Sequence, residues 1–345
     1  MKGGEDIWSK EFPMPSVPNM TRSSFVNDQG LRIQAYAFDP PKKGEGKFGE
    51  KELKGVAVLF HGYSSHTQNQ WFLPKQAGEL HDQYEGGVAS RLVRAGYAVR
   101  TIDHQSSGRS ESRDGVRCNF EIEHLVDESE AYIQDGVMKD PSLSGLPIFL
   151  FGISMGGAVA IRVSENNPGR YAGMLTFAPM CSLEKVRQQS VLCCVKNKHI
   201  EPFVSFLNCV APTMQVAKTT KNTMFPLMQR EFDIDPLNYH EPTRVRCAKS
   251  FIDLTARFMS RDGFSNVKVP FATFHSVHDT LTDWEGTEAL MSGSNPIGGD
   301  KTFYKVGEGL DVDTKMWHNL LQEPGCDKVI DKAIEWMEKR SSSPS

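Results

Sequence analysis

Short apolar runs recur along the chain with polar and glycine-rich stretches between them. Val56-Ala57-Val58-Leu59-Phe60, Pro147-Ile148-Phe149-Leu150-Phe151, Met174-Leu175-Thr176-Phe177-Ala178-Pro179 and Pro270-Phe271-Ala272-Thr273-Phe274 are nearly continuous. That is the pattern of strands buried on both faces. Tyr97 to Asp103 and Lys301 to Val306 read as two more strands. Between them, apolar positions fall at helical spacing over 87–95, closed by Gly96, and over 121–137. Strand alternating with helix predicts an α/β protein with a mostly parallel central sheet and helices on both faces. Ser24 to Tyr36 reads as a hairpin turning at Asp28-Gln29-Gly30, and 41–55 as a solvated loop. Residues 1–20 carry three prolines and little periodicity, so they form an arm, and 341–345 reads as a disordered tail. The alternation covers 21–180 and 270–340 but fails over 181–269. Apolar clusters stand there instead: Val191 to Val195, Phe203 to Leu207, Met214, and Met224 to Met228.

At 345 residues the chain is long enough for one α/β domain plus an insertion. Lys and Arg number 39 against 43 Asp and Glu, a balance that offers no basic footprint for nucleic acid. No apolar run approaches the length of a membrane span. Met1 to Asp6 lacks the apolar core of a secretory signal and has no glycine after Met1 for myristoylation. Seven cysteines without metal-type spacing predict free, mostly buried thiols in a cytoplasmic, reducing compartment.

The candidate chemistry starts at Gly152-Ile153-Ser154-Met155-Gly156, a G-x-S-x-G between the strand ending at Phe151 and the small-residue segment 157–163. Strand, Ser between glycines, helix is the layout of a nucleophile elbow, where a tight turn pushes the hydroxyl outward. Such a hydroxyl needs a base and an orienting acid, which follow it in the order acid, then His. Asp279 stands at the C-terminal end of the strand from Pro270, where functional groups of open α/β sheets gather. Asp283 is the competing acid, read as the cap of a helix beginning near Trp284. His318 is the only histidine after the last strand and is expected to be the base. His275 and His278 read as strand and loop residues. An oxyanion needs two backbone N–H donors. Met155 supplies one, and Tyr63, after the strand ending in Phe60-His61-Gly62, supplies the other; His61 is expected to hold that loop.

These motifs, with Asp103-His104-Gln105-Ser106-Ser107-Gly108-Arg109-Ser110, resemble the monoacylglycerol lipase and lysophospholipase branch of the α/β-hydrolase superfamily in order over most of 25–340. Ser64, Ser106 and Ser107 depart from the branch, standing where Gly, Gly and His are usual. The resemblance implies an α/β-hydrolase fold with a lid (cap) over 181–269 and a lipid ester as substrate. It implies no cofactor or metal, and it makes the lid the place for peripheral membrane contact. Lysophospholipids or small esters remain open as substrates. A prolyl-type aminopeptidase would hold a free amine with lid carboxylates such as those of Glu231-Phe232-Asp233-Ile234-Asp235, which otherwise read as a solvated loop. A non-enzymatic protein of this fold is the last alternative.

Overall fold

The structure is a computed structural model that describes residues 12, 14–41, 53–188, 190–192, 195–218 and 220–341. Eight strands form one sheet: β1 Met20–Val26, β2 Arg32–Phe38, β3 Gly55–Phe60, β4 Tyr97–Ile102, β5 Ile148–Ile153, β6 Gly173–Phe177, β7 Phe271–Ser276 and β8 Lys301–Val306. Their order is β1-β2-β4-β3-β5-β6-β7-β8. The β1/β2 hairpin is antiparallel, β2 runs antiparallel to β4, and every later pairing is parallel.

The continuous apolar runs are strands covered on both sides. Along β3, Val56, Val58 and Phe60 enter one core while Ala57 and Leu59 enter the other, as a two-residue repeat requires. The first core is closed by α2 Ile122–Tyr132, α3 Met155–Asn166 and α4 Trp284–Gly293, and the second by α1 Val88–Ala95 and α5 Cys326–Ser341. Gly96 ends α1 in a left-handed conformation at φ 100°. The helix expected over 121–137 stops as an α-helix at Tyr132 and continues as a π turn over Ile133–Met138. The Tyr132 ring crowds Gly136 there: a Cβ on Gly136 would lie 2.8 Å from it.

Ser341 is the last residue of α5, and its hydroxyl lies 2.8 Å from Tyr97 Oη; 342–345 lie outside the described residues. Most of the expected 41–55 loop lies outside them too. Of the arm, Met14 and Val17 are buried, and the Arg109 guanidinium donates to the Phe12 carbonyl at 2.7 Å. Between β6 and β7 the chain forms helices Glu184–Arg187, Asn197–Val210, Pro226–Ile234 and Val245–Phe258 with short paired strands. The last of these helices packs Cys247, Phe251, Leu254 and Phe258 into the first core. No described helix is long and apolar enough to cross a membrane. The described cysteines, Cys118, Cys181, Cys209, Cys247 and Cys326, are free; Cys193 and Cys194 lie outside the described residues.

Candidate active site

Ser154 sits between β5 and α3 at φ 54° and ψ −119°, a strained backbone for a residue with a side chain. Its flanking glycines are obligatory. A Cβ on Gly152 would meet the Gly156 carbonyl oxygen at 2.2 Å, and one on Gly156 would meet the Phe60 oxygen at 2.1 Å. The turn is held by Ser154 N–H donating to Phe177 O at 2.9 Å and by Met180 N–H donating to Ser154 O at 3.0 Å. Ser154 is half-buried at the C-terminal edge of the sheet.

Asp279, just beyond β7, is buried and fully engaged. Oδ2 lies 2.7 Å from His318 Nδ1, 2.9 Å from Thr282 Oγ1 and 3.2 Å from His275 Nε2. Oδ1 accepts from the N–H groups of Leu281 and Thr282 at 2.7 and 3.1 Å. Burial on its own would raise this carboxyl, but His318 and His275 beside it hold it well below the usual range. For His318 the balance runs the other way: burial lowers the imidazole, and the Asp279 charge and hydrogen bond more than offset it, so its pKa is raised. Because Nδ1 faces the carboxylate, it carries the proton, and Nε2 is left as the acceptor.

The loop after β3 lies against the elbow: a Cβ on Gly62 would be 3.6 Å from Ser154 Cβ. Among the described residues, neither the Tyr63 nor the Met155 amide donates to a backbone carbonyl. His61 holds this loop as expected. Its Nε2 accepts from His104 N–H at 3.0 Å, so Nδ1 is the protonated nitrogen and donates to Gly62 O at 2.9 Å. Burial, reinforced by neighbouring His104, pushes its pKa down to about 3. Ser64 and Ser106 adopt φ 65° and 66°, so both serines keep the left-handed backbone that glycine allows.

Two residues at the site were not singled out from the sequence. Gln70 accepts from Gly62 N–H at 3.3 Å and donates to Asn319 Oδ1 at 3.1 Å, joining the Tyr63 loop to the His318 loop. His275, read only as a strand residue, buttresses Asp279 and is held by Thr287 Oγ1 at 2.7 Å. Its spacing four residues before the acid was the available signal. Two expectations need correction. Asp283 occupies the N-cap position of α4, as expected, but its side chain makes no cap bond there; its carboxylate takes the Ser182 hydroxyl at 2.6 Å and the amides of Glu184 and Lys185. The hydroxyl and amides at the start of the insert are the closer donors. The 231–235 stretch is no solvated loop: Glu231 and Asp235 are buried, one helical turn apart, against His81 and His66 at 3.1 and 3.0 Å. Those carboxylates are engaged by histidine and are not free for an amine.

The Hydrolase_4 family model, described as serine aminopeptidase, S33, matches residues 51–325. The chain belongs to this family of hydrolases. It is 25% identical over 333 residues to caffeoylshikimate esterase of Arabidopsis thaliana, covering 93% of this chain and 90% of that protein. It is 28% identical over 277 residues to human monoglyceride lipase, covering 79% and 83%. A soluble variant of the Saccharomyces cerevisiae monoglyceride lipase, solved with a substrate analogue, superposes with a TM-score of 0.71 at 17% identity, covering 95% of this chain and 97% of that one. The fold is the α/β-hydrolase fold.

Proposed function

We propose that this S33-family protein is a serine carboxylic-ester hydrolase acting on monoacylglycerol-type lipids. The observation that carries the reading is the buried 2.7 Å contact between His318 Nδ1 and Asp279 Oδ2, on loops that Gln70 ties to Gly62, which lies beside Ser154, and that Thr282 ties to Ala178 just beyond β6. Ser154 is the nucleophile, His318 the base and Asp279 the orienting acid. As Oγ forms its bond to the ester carbonyl carbon, its proton passes to His318 Nε2. The Tyr63 and Met155 amides receive the oxyanion. The carbon–oxygen bond to the alcohol then breaks and Nε2–H protonates the leaving oxygen. Water attacks the acyl-enzyme by the same route in reverse, releasing the acid and restoring Ser154. Asp279 stays ionised throughout and stabilises the imidazolium.

The lipid preference rests on the relatives and on the insert, which is read as a cap over residues 181–269. Phe203, Phe206 and Val210 share one face of Asn197–Val210 and are 64%, 66% and 61% exposed. Solvated, that face is costly; against acyl chains or a lipid interface it is favourable. Each methylene of an acyl chain buried on binding contributes about 0.8 kcal/mol. The test is kcat/KM for monoesters from C2 to C18, with a triacylglycerol, a hydroxycinnamate ester and an amino-acyl anilide as comparators. Rates should rise with chain length and stay low on the three comparators, and Ser154→Ala should remove activity by about 10⁶-fold. A flat or falling profile would move the reading to a small-ester esterase, with the hydroxycinnamate ester pointing to phenolic substrates. Retention of a tenth of the rate in Ser154→Ala would reject the mechanism. Because the neutral imidazole is the reactive form and Asp279 raises its pKa, the acid limb of kcat/KM should lie above the ordinary histidine value of 6.5.

A further inference from the structure

Glu323 is a fully buried carboxylate that no step above uses. It lies just beyond His318 in sequence and folds back onto that loop. Its Oε2 accepts from Trp317 N–H at 2.5 Å, and its Oε1 accepts from the N–H groups of His318 and Asn319 at 3.0 and 2.8 Å. The Glu323 amide donates in turn to the Asn319 carbonyl at 3.0 Å, so the turn over 317–323 closes around this one side chain. Three successive amides converging on one anion form a nest. Burying a carboxylate is unfavourable without such donors. Packing alone would not call for it, since the neighbouring Leu320 and Leu321 are already buried. Burial pushes the Glu323 carboxyl up, while the three amides favour its ionised form.

The geometry points to Glu323 as the positioning residue of the base. It fixes the backbone of 317–319 so that the His318 ring meets Asp279 in one orientation, and its negative charge favours the imidazolium formed during acyl transfer. The inference rests on the reading of Ser154, Asp279 and His318 given above. Glu323 acts through His318 and touches no substrate. Around this loop stand Asp279, with His275 against it at the end of β7, Lys185 of the insert, whose ammonium donates to Asp279 O at 3.3 Å, and His81, 3.0 Å from Gln322 Nε2. His81 and Glu231 line a cavity of about 550 Å³ together with Gln322 and Glu323. Of the charged groups, Asp279 and Glu323 push the imidazole up, against burial.

The experiment compares Glu323→Gln and Glu323→Asp with the wild type on one soluble monoester, with kcat/KM followed across pH and thermal melts in parallel. Ser154→Ala and His318→Ala serve as references. Glu323→Gln removes the charge, so kcat/KM should fall about 10- to 100-fold, the loss expected from a slightly misplaced base. Its acid limb should move down by about one pH unit, the low end for losing a nearby opposite charge. Glu323→Asp keeps the charge on a shorter arm, so the rate should fall with the limb unmoved. A folded Glu323→Gln with an unmoved limb overturns the inference, whether or not its rate falls, because loosening alone would not change the base. Should Glu323→Gln not fold, Glu323→Asp decides: a reduced rate with an unmoved limb supports the positioning role, and a wild-type rate, or a limb that moves although the charge is kept, overturns the inference. Activity surviving in Ser154→Ala or His318→Ala would reject the catalytic reading itself; inactivity of both with an unaffected Glu323→Gln would reject only the role of Glu323.

Discussion

Two histidines touch Asp279, and the difference between their other nitrogens is why His318 is the one proposed as the base. His275 is fully buried, with Nδ1 held by Thr287 Oγ1 at 2.7 Å and Nε2 turned to the acid at 3.2 Å. Neither of its nitrogens is left for a substrate. His318 is 9% exposed, engages Asp279 through Nδ1, and among the described residues makes no hydrogen bond through Nε2. The pair therefore predicts a ranking. Asp279→Asn presents the wrong partner to the Nδ1–H of His318 and should lower kcat by about 10⁴-fold. His275→Ala removes only a support for the acid and should lose about 10- to 100-fold, the scale typical of supporting shells. Steady-state kinetics on one ester tests both. A His275→Ala variant as impaired as His318→Ala would show that the base has been misassigned.

The helix Pro226–Ile234 is fastened to the parts of the core that frame the site. Asp235 meets His66, which follows the Tyr63 loop, and Glu231 meets His81 and takes the Gly78 amide at 2.7 Å. Just beyond the helix, Tyr239 N–H donates to Ser64 O at 2.9 Å. Burial would raise the Asp235 carboxyl, but His66 brings it down to about 2. Asp235→Ala leaves His66 buried beside an empty site, so it should destabilise the protein by roughly 2–4 kcal/mol and lower kcat through the loosened Tyr63 loop. Urea melts and turnover of a short ester measure the two effects; an unchanged melt would mean that the pair contributes nothing. None of this could be read from the chain, because alternating acidic and apolar residues look the same on a solvated loop and on a helix with one buried face. The strands, the elbow and the Asp279 to His318 order were legible because each depends on local pattern and chain order. The contacts through Gln70 and the Glu231 helix were not, since they join segments far apart in sequence; His275 is only four residues from Asp279, but a histidine near a strand end looks the same whether it supports the acid or merely packs. Asp283 shows the same limit: its neighbours suggested a helix cap, while Ser182 and the Glu184 amide, distant in sequence, are what it binds.

Taken whole, the molecule carries a second buried polar cluster that the chemistry does not use, where the β1/β2 turn, the end of β4 and α2 meet. Glu128 Oε1 lies 2.9 Å from His104 Nδ1 and accepts from Gln105 N–H at 3.0 Å, while Oε2 accepts from Asn27 Nδ2 at 3.2 Å. Burial raises the Glu128 carboxyl to about 8 from 4.5 and pushes both His104 and His61 down to about 3 from 6.5. The signs follow from where each proton sits. Glu128 keeps its proton in the folded state, so its contribution is complete below about pH 4.5 and is lost as pH rises to about 8. The two histidines stay neutral when folded, so theirs is complete above pH 6.5 and is lost as pH falls toward 3. These groups together put the stability maximum near neutrality. Above it, from pH 6.5 to 8, two of the falling terms are Glu128 and His318, whose raised pKa acts in the same direction. Glu128→Gln removes one of the two. The wild type should lose roughly 2 kcal/mol more than the variant between those pH values, at about 1.4 kcal/mol per unit for one group. Urea unfolding of both proteins at pH 6.5 and pH 8 measures that difference directly. Equal pH dependence in the two would mean that Glu128 is already ionised in the folded protein, with the amide of Gln105 and the side chains of Asn27 and His104 sufficient to hold its charge.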